Sequence, residues 1–99
     1  MNIQHVPGAE KLIEAVLSLE TEQECASFFE DICTIKELQD ITQRLEVALM
    51  LHDGKNYQEI SELTGASTAT ISRVKKCLVY GNGGYRAAIE RIAAKGEGK

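Results

Sequence analysis

The segment from Tyr57 to Leu78 constrains the fold of this chain more than any other. Two short helical stretches, Tyr57–Leu63 and Ser67–Val79, are separated only by Thr64-Gly65-Ala66. So tight a connection forces the helices to cross and to share one small core. Ile60 is placed to point inward from the first helix, and Ser61 is small enough to let the second approach. Gly65 falls where the turn calls for a positive φ, at little cost for glycine. Ala66, Ile71 and Val74 complete the shared core, while Asn56 and Ser67 are good N-cap residues. Nearly every constrained position of a helix-turn-helix is met, with Thr64 the weakest fit.

The rest of the chain also reads as helix. Leu12, Ile13, Val16 and Leu17 recur at helical spacing and predict a helix over Ala9–Leu19. Thr21-Glu22-Gln23-Glu24 and Thr34-Ile35-Lys36-Glu37 are capping-box patterns. The first opens a helix whose buried face is expected to be Cys25, Phe28, Phe29 and Ile32. The second opens the longest helix, which should run to His52 before Asp53-Gly54 stops it. Its Val47-Ala48-Leu49-Met50-Leu51 run is apolar all round and calls for cover on several sides. In a chain of 99 residues, a second copy of the protein is the expected source of that cover. Gly81-Asn82-Gly83-Gly84 breaks the chain, and Tyr85, Ile89 and Ile92 mark a last helix. No alternation of strand period is present. The expectation is an all-α single domain over 1–99, with residues 1–8 and 95–99 flexible.

Charge is distributed unevenly. The net charge is −4, yet residues 1–50 carry ten acids against three bases, and residues 51–99 carry eight bases against five acids. Nothing acidic lies between Glu62 and Glu90, a gap that holds Arg73, Lys75, Lys76 and Arg86. A local basic stretch, not the total charge, is what meets phosphates. On the second helix of the pair, Ser67, Thr68, Ala69 and Ser72 are short, which a helix lying in the major groove requires at its N-terminal end. That N-terminus also offers free backbone N–H groups to a phosphate. Arg73, Lys75 and Lys76 add charge along its second half. Double-stranded DNA is therefore the expected partner.

Other chemistries fit less well. Cys25, Cys33 and Cys77 have no CxxC spacing and, with His5 and His52, no zinc-ligand pattern; they read as small apolar residues. No nucleophile–base spacing or phosphate-cradling loop is present, so no catalysis, metal or cofactor is expected. No run of 18 apolar residues spans a membrane. Met1–Pro7 lacks the pattern of a secretory signal, so the chain reads as cytoplasmic. Two non-catalytic alternatives stand beside a DNA-binding regulator: a helical protein–protein adaptor, and a DNA-binding module of replication or recombination.

Gly65-Ala66-Ser67-Thr68-Ala69-Thr70-Ile71-Ser72-Arg73 resembles the recognition helix of the bacterial tryptophan repressor. The resemblance extends back through Asp53-Gly54, Gln43-Arg44 and Thr34. It is stronger still to the TrpR-like YerC/YecD family, through Phe28-Phe29-Glu30-Asp31, Gln43–Ala48 and Tyr80-Gly81-Asn82-Gly83-Gly84-Tyr85. It covers residues 9–93 and implies a six-helix tryptophan-repressor-like fold forming an intertwined homodimer. It also implies two recognition helices about one DNA turn apart on a pseudo-palindromic site. On matching positions, Thr68, Ala69 and Ser72 face bases and Thr70 holds a phosphate, within a DNA-binding set that also takes in Gln58, Ser67, Arg73, Lys75 and Lys76. Thr34, Arg44 and Arg73 match residues that hold tryptophan in the repressor, the two arginines sandwiching the indole. Val74 and Cys77 depart from that pattern, where the repressor has Gly and Ser. A β-branched side chain at 74 is expected to fill the ligand slot, so tryptophan is not the expected effector and any small-molecule effector is left unassigned.

Overall fold

The structure is a computed structural model that describes residues 2–97. Six α-helices follow one another: α1 Ala9–Leu17, α2 Glu22–Ile32, α3 Ile35–His52, α4 Tyr57–Thr64, α5 Thr68–Tyr80 and α6 Gly84–Glu97. A 3-10 turn at Ile3–His5 precedes them, and there is no strand among the described residues. The all-α expectation is met element by element. The last helix carries Lys95, Gly96 and Glu97 where composition predicts a loose tail; the end of that predicted tail, Gly98 and Lys99, lies outside the described residues.

The two capping boxes are built differently. At α3 the box is reciprocal: the Glu37 N–H donates to Thr34 Oγ1 at 3.1 Å, and the Thr34 N–H donates to Glu37 Oε1 at 2.8 Å. At α2 the Glu24 N–H donates to Thr21 Oγ1, but the carboxylate accepts from the N–H of Glu20, one residue before the cap. Both arrangements occupy backbone donors that a helix start leaves free. α3 ends as its sequence predicts, with the Gly54 N–H on Leu51 and the Lys55 N–H on Met50.

The chain divides into two units, Met1–Leu38 and Gln39–Lys99. In the first, the 3-10 turn packs on α1. Ala9 is buried, but the apolar stripe of α1 (Leu12, Ile13, Val16, Leu17) is exposed. The expected buried face of α2 is corrected in the same way: Cys25 and Ile32 are exposed, and Phe28 and Phe29 are half-buried, their rings meeting edge to face at 5.5 Å. Helical spacing correctly marks these faces as apolar. It does not say that this chain itself covers them.

The second unit holds the core. Val47 and Ala48 of α3 pack with Ile60, Ala66, Ile71, Val74 and Ile89, and Leu49, Met50, Leu51, Tyr57, Leu78 and Tyr85 close around them. Burying a Val or Ile fully contributes about 1.5–3 kcal/mol each, so this cluster positions α4 and α5. The Val47–Leu51 run therefore gets much of its cover from the same chain. Of its five residues, Leu49, Met50 and Leu51 are left half-buried.

Candidate nucleic-acid interface

The turn between α4 and α5 is three residues long, Gly65 to Ser67, with Gly65 at φ +75°. Side chains fasten it from three directions. Ser61 Oγ donates to the Ala66 carbonyl at 2.9 Å. Thr64 Oγ1 donates to the Ile60 carbonyl at 2.7 Å and accepts the Ala66 N–H at 3.1 Å. Gln43 Nε2, from α3, donates to the Thr64 carbonyl at 3.1 Å. Thr64 is thus the residue that satisfies the turn, and its β-branch is tolerated because its hydroxyl has two backbone partners. Sequence reasoning missed Gln43 and the polar role of Ser61; a hydroxyl four or five residues before a buried turn was the available signal. Thr64→Val, which keeps the shape but leaves the buried Ala66 amide without this acceptor, is expected to cost about 1–3 kcal/mol in urea unfolding. A change within a few tenths would show that the turn does not depend on it.

α5 starts cleanly. The Thr70 N–H donates to Ser67 Oγ at 3.1 Å, and Ser67 Oγ donates to Thr70 Oγ1, also at 3.1 Å. Thr70 accepts in that pair, so its own hydroxyl proton remains available to an acceptor such as a phosphate oxygen. No acid lies in the first turn to compete for the helix N-terminus. Ile71 and Val74 are buried, and Ala69, Ser72 and Lys76 lie on the opposite face by helical periodicity. Thr68 and Arg73 flank that face and are exposed, as is Ser67. Thr70 is half-buried. Tyr80, one turn beyond Lys76, is 82% exposed and extends the outward face past the predicted end of the motif at Leu78.

Two predicted contacts sit away from this face. Lys75 lies beside the buried stripe, its Nζ 5.7 Å from the Tyr57 ring centroid in a cation–π contact. Gln58 is exposed on α4, with Nε2 3.4 Å from Glu62 Oε1.

The residues that match the repressor's ligand site are spread among several roles. The Thr34 hydroxyl caps α3. Arg44 and Arg73 are exposed, as is Cys77. Val74 is 2% exposed and belongs to the core cluster. Arg44 and Cys77 both lie close enough to Tyr85 to act on its phenol. Burial pushes that phenol above its ordinary value, Cys77 adds to the rise, and Arg44 opposes it. Tyr85 is therefore a neutral hydrogen-bonding group at physiological pH.

Among the described residues there is no group of His, Cys, Asp or Glu fit to hold a metal, and no helix is long and apolar enough to cross a membrane.

Comparison with known proteins places this geometry. The Trp repressor protein family model matches residues 8–93. The Bacillus subtilis (strain 168) protein YerC is 52% identical over 94 residues, covering 93% of this chain and 90% of that protein. The crystal structure of a TrpR-like protein from Eubacterium eligens superposes with a TM-score of 0.85 at 49% identity, covering 90% of this chain and 92% of the other. A crystal structure from Staphylococcus aureus gives a TM-score of 0.86 at 45% identity, covering 94% and 95%.

Proposed function

This chain belongs to the Trp repressor protein family as a TrpR-like, YerC-type member, and on that premise we propose that it is a homodimeric, sequence-specific DNA-binding regulator of transcription, acting as a repressor. The observation that carries the reading is the outward face of α5: short side chains at Thr68, Ala69 and Ser72, backed by Arg73 and Lys76, over a buried stripe of Ile71 and Val74. A helix with this face fits the major groove, its N-terminal side chains at base edges and its later cations at phosphates. An adaptor with the same architecture has no use for a 27-residue acid-free interval around that helix.

Dimerisation is supported by the apolar side chains that α1, α2 and the first half of α3 leave exposed. Leu17 and Ile35 are 79% and 76% accessible in the isolated chain. So many large apolar side chains left uncovered on a chain this small support an interface. In the dimer proposed here the two α5 helices read the halves of a pseudo-palindromic site. The protein works in the cytoplasm without a cofactor, and free tryptophan is not its corepressor.

Selection from a random duplex pool tests the reading: enrichment of a palindrome with half-sites about one turn apart is expected. Lys76→Ala should weaken binding to every sequence and flatten the salt slope by about one unit. Thr68→Ala should instead change the preferred base at one position per half-site, at roughly 1–3 kcal/mol. If no substitution between Ser67 and Lys76 alters binding, α5 is not the reading helix.

A further inference from the structure

A groove of about 770 Å³ lies among the start of α4, the second half of α5 and the start of α6, all within the second unit. Its size falls within the range of small-molecule sites, on the order of 300–1,000 Å³. Leu51, Tyr57, Leu78 and Val79 provide apolar walls, and Lys55, Lys75 and Arg86 line it together with a single acid, Glu90. None of the three cations has a carboxylate within 4.0 Å among the described residues. Two of them are also held in place. Lys75 rests over the Tyr57 ring, and Arg86 Nε donates to the Leu78 carbonyl at 2.8 Å, which leaves its two terminal nitrogens without a protein partner among the described residues. Lys55 immediately precedes Asn56, the N-cap of α4, whose side chain accepts the Glu59 N–H.

Three cations against one acid, lining the same groove as an aromatic and three aliphatic side chains, match a ligand with an anionic head and an apolar body. We infer that this groove binds a small organic anion, a phosphate monoester or carboxylate carried on an aromatic or aliphatic group. The guanidinium and ammonium groups take the head, and Tyr57, Leu78 and Val79 take the body. A DNA phosphodiester shares the anionic chemistry but has no use for the apolar walls. None of the groove's residues belongs to the set that matches the repressor's tryptophan site (Thr34, Arg44, Arg73, Val74, Cys77), so this is a separate site. A ligand seated there touches both helices of the reading motif and α6 at once.

The test is a titration of the full-length protein, free of DNA, with 1-naphthyl phosphate, followed by ¹H–¹⁵N NMR and calorimetry. Saturable shifts are expected at the backbone amides of Leu51–Tyr57, Lys75–Val79 and Arg86–Glu90. Inorganic phosphate and naphthalene alone should each bind about tenfold more weakly or worse. Lys75→Gln with Lys55→Gln should weaken naphthyl phosphate by about tenfold or more while leaving the far-ultraviolet circular dichroism unchanged; Arg86→Gln, which also removes the bond to Leu78, is the second variant. Equal binding of inorganic phosphate overturns the proposal, because the site would then be a bare phosphate contact. So does an absence of saturable shifts at millimolar probe, or an affinity indifferent to all three substitutions. Because no DNA is present, failure here is distinguishable from failure of the DNA-binding reading.

Discussion

Replacing Leu17 and Ile35 together by Asp is expected to abolish assembly and, with it, tight DNA binding. Both side chains stand at least three-quarters exposed in the single chain. In a monomer, charges at such positions change stability by no more than about 0.5 kcal/mol. In a dimer that buries them, each uncompensated carboxylate costs several kcal/mol, and two chains contribute four of them. The two cases therefore separate widely in one measurement. Light scattering after gel filtration should give twice the chain mass for the wild type at low micromolar concentration. The double variant should give the mass of one chain, or an unfolded one. A wild type that runs as a folded single chain, or a double variant that melts and binds DNA as the wild type does, removes the dimer from the proposed function. Leu49→Asp is a poorer probe of assembly. Leu49 packs on the core of its own chain, so that substitution damages the fold whether or not a partner is present.

Val74→Gly is the second large effect. The valine is almost fully buried among Val47, Ile60 and Ile71, so its removal forfeits about 1.5–3 kcal/mol of burial. A glycine inside α5 costs about 1 kcal/mol more. For a chain of this size each kcal/mol is worth roughly 4–8 °C, so the melting temperature should fall by more than about 10 °C. Isothermal calorimetry with millimolar L-tryptophan should show no saturable heat for wild type or variant. DNA affinity should be equally indifferent to the amino acid. A tenfold tightening of wild-type DNA binding by tryptophan would reverse this conclusion. Tryptophan-dependent rescue of the variant's melting temperature would mean that the deleted side chain had stood in a ligand slot as well as in the core.

Most of the architecture was legible because its signals are local. Thr34 and Glu37 specify a helix start by two reciprocal bonds three residues apart, and nothing distant can alter that. Gly65 announces its own φ. The motif's inward residues, Ile60, Ala66, Ile71 and Val74, follow from helical period plus a fixed turn, and all four are buried. What periodicity does not carry is the identity of the covering surface. It marks Leu12, Val16 and Ile32 as apolar-faced just as it marks Ile71, yet the first three are exposed in this chain and the last is not. The same ambiguity assigned the cover of Val47 to a second copy, when Ile60, Ile71 and Ile89 of the same chain provide it. Thr64 shows a different gap. Its fit depends on the carbonyl of Ile60 and the amide of Ala66 both reaching one hydroxyl, a matter of backbone path and not of residue type. Lys75 was legible as a cation but not as a neighbour of Tyr57, because the crossing of α4 and α5 decides which flank of the helix meets the ring.

The fastening of the short turn has a consequence for how the protein breathes. Loop amides ordinarily trade their hydrogens with solvent through small local excursions. Here the Gly65 amide is held by the Ser61 carbonyl at 2.8 Å and the Ala66 amide by a hydroxyl, while the Ala66 and Thr64 carbonyls accept from Ser61 and Gln43. Freeing the Ala66 hydrogen requires Thr64 to let go, and Ala66 itself is packed in the core, so exchange there is tied to opening of the whole unit. In deuterated solvent these two amides should persist as long as those of Ile71 and Val74, although neither sits in the middle of a helix. The connection that looks like a hinge in the chain trace is a clamp. The two helices it joins must present themselves to a partner as one rigid piece.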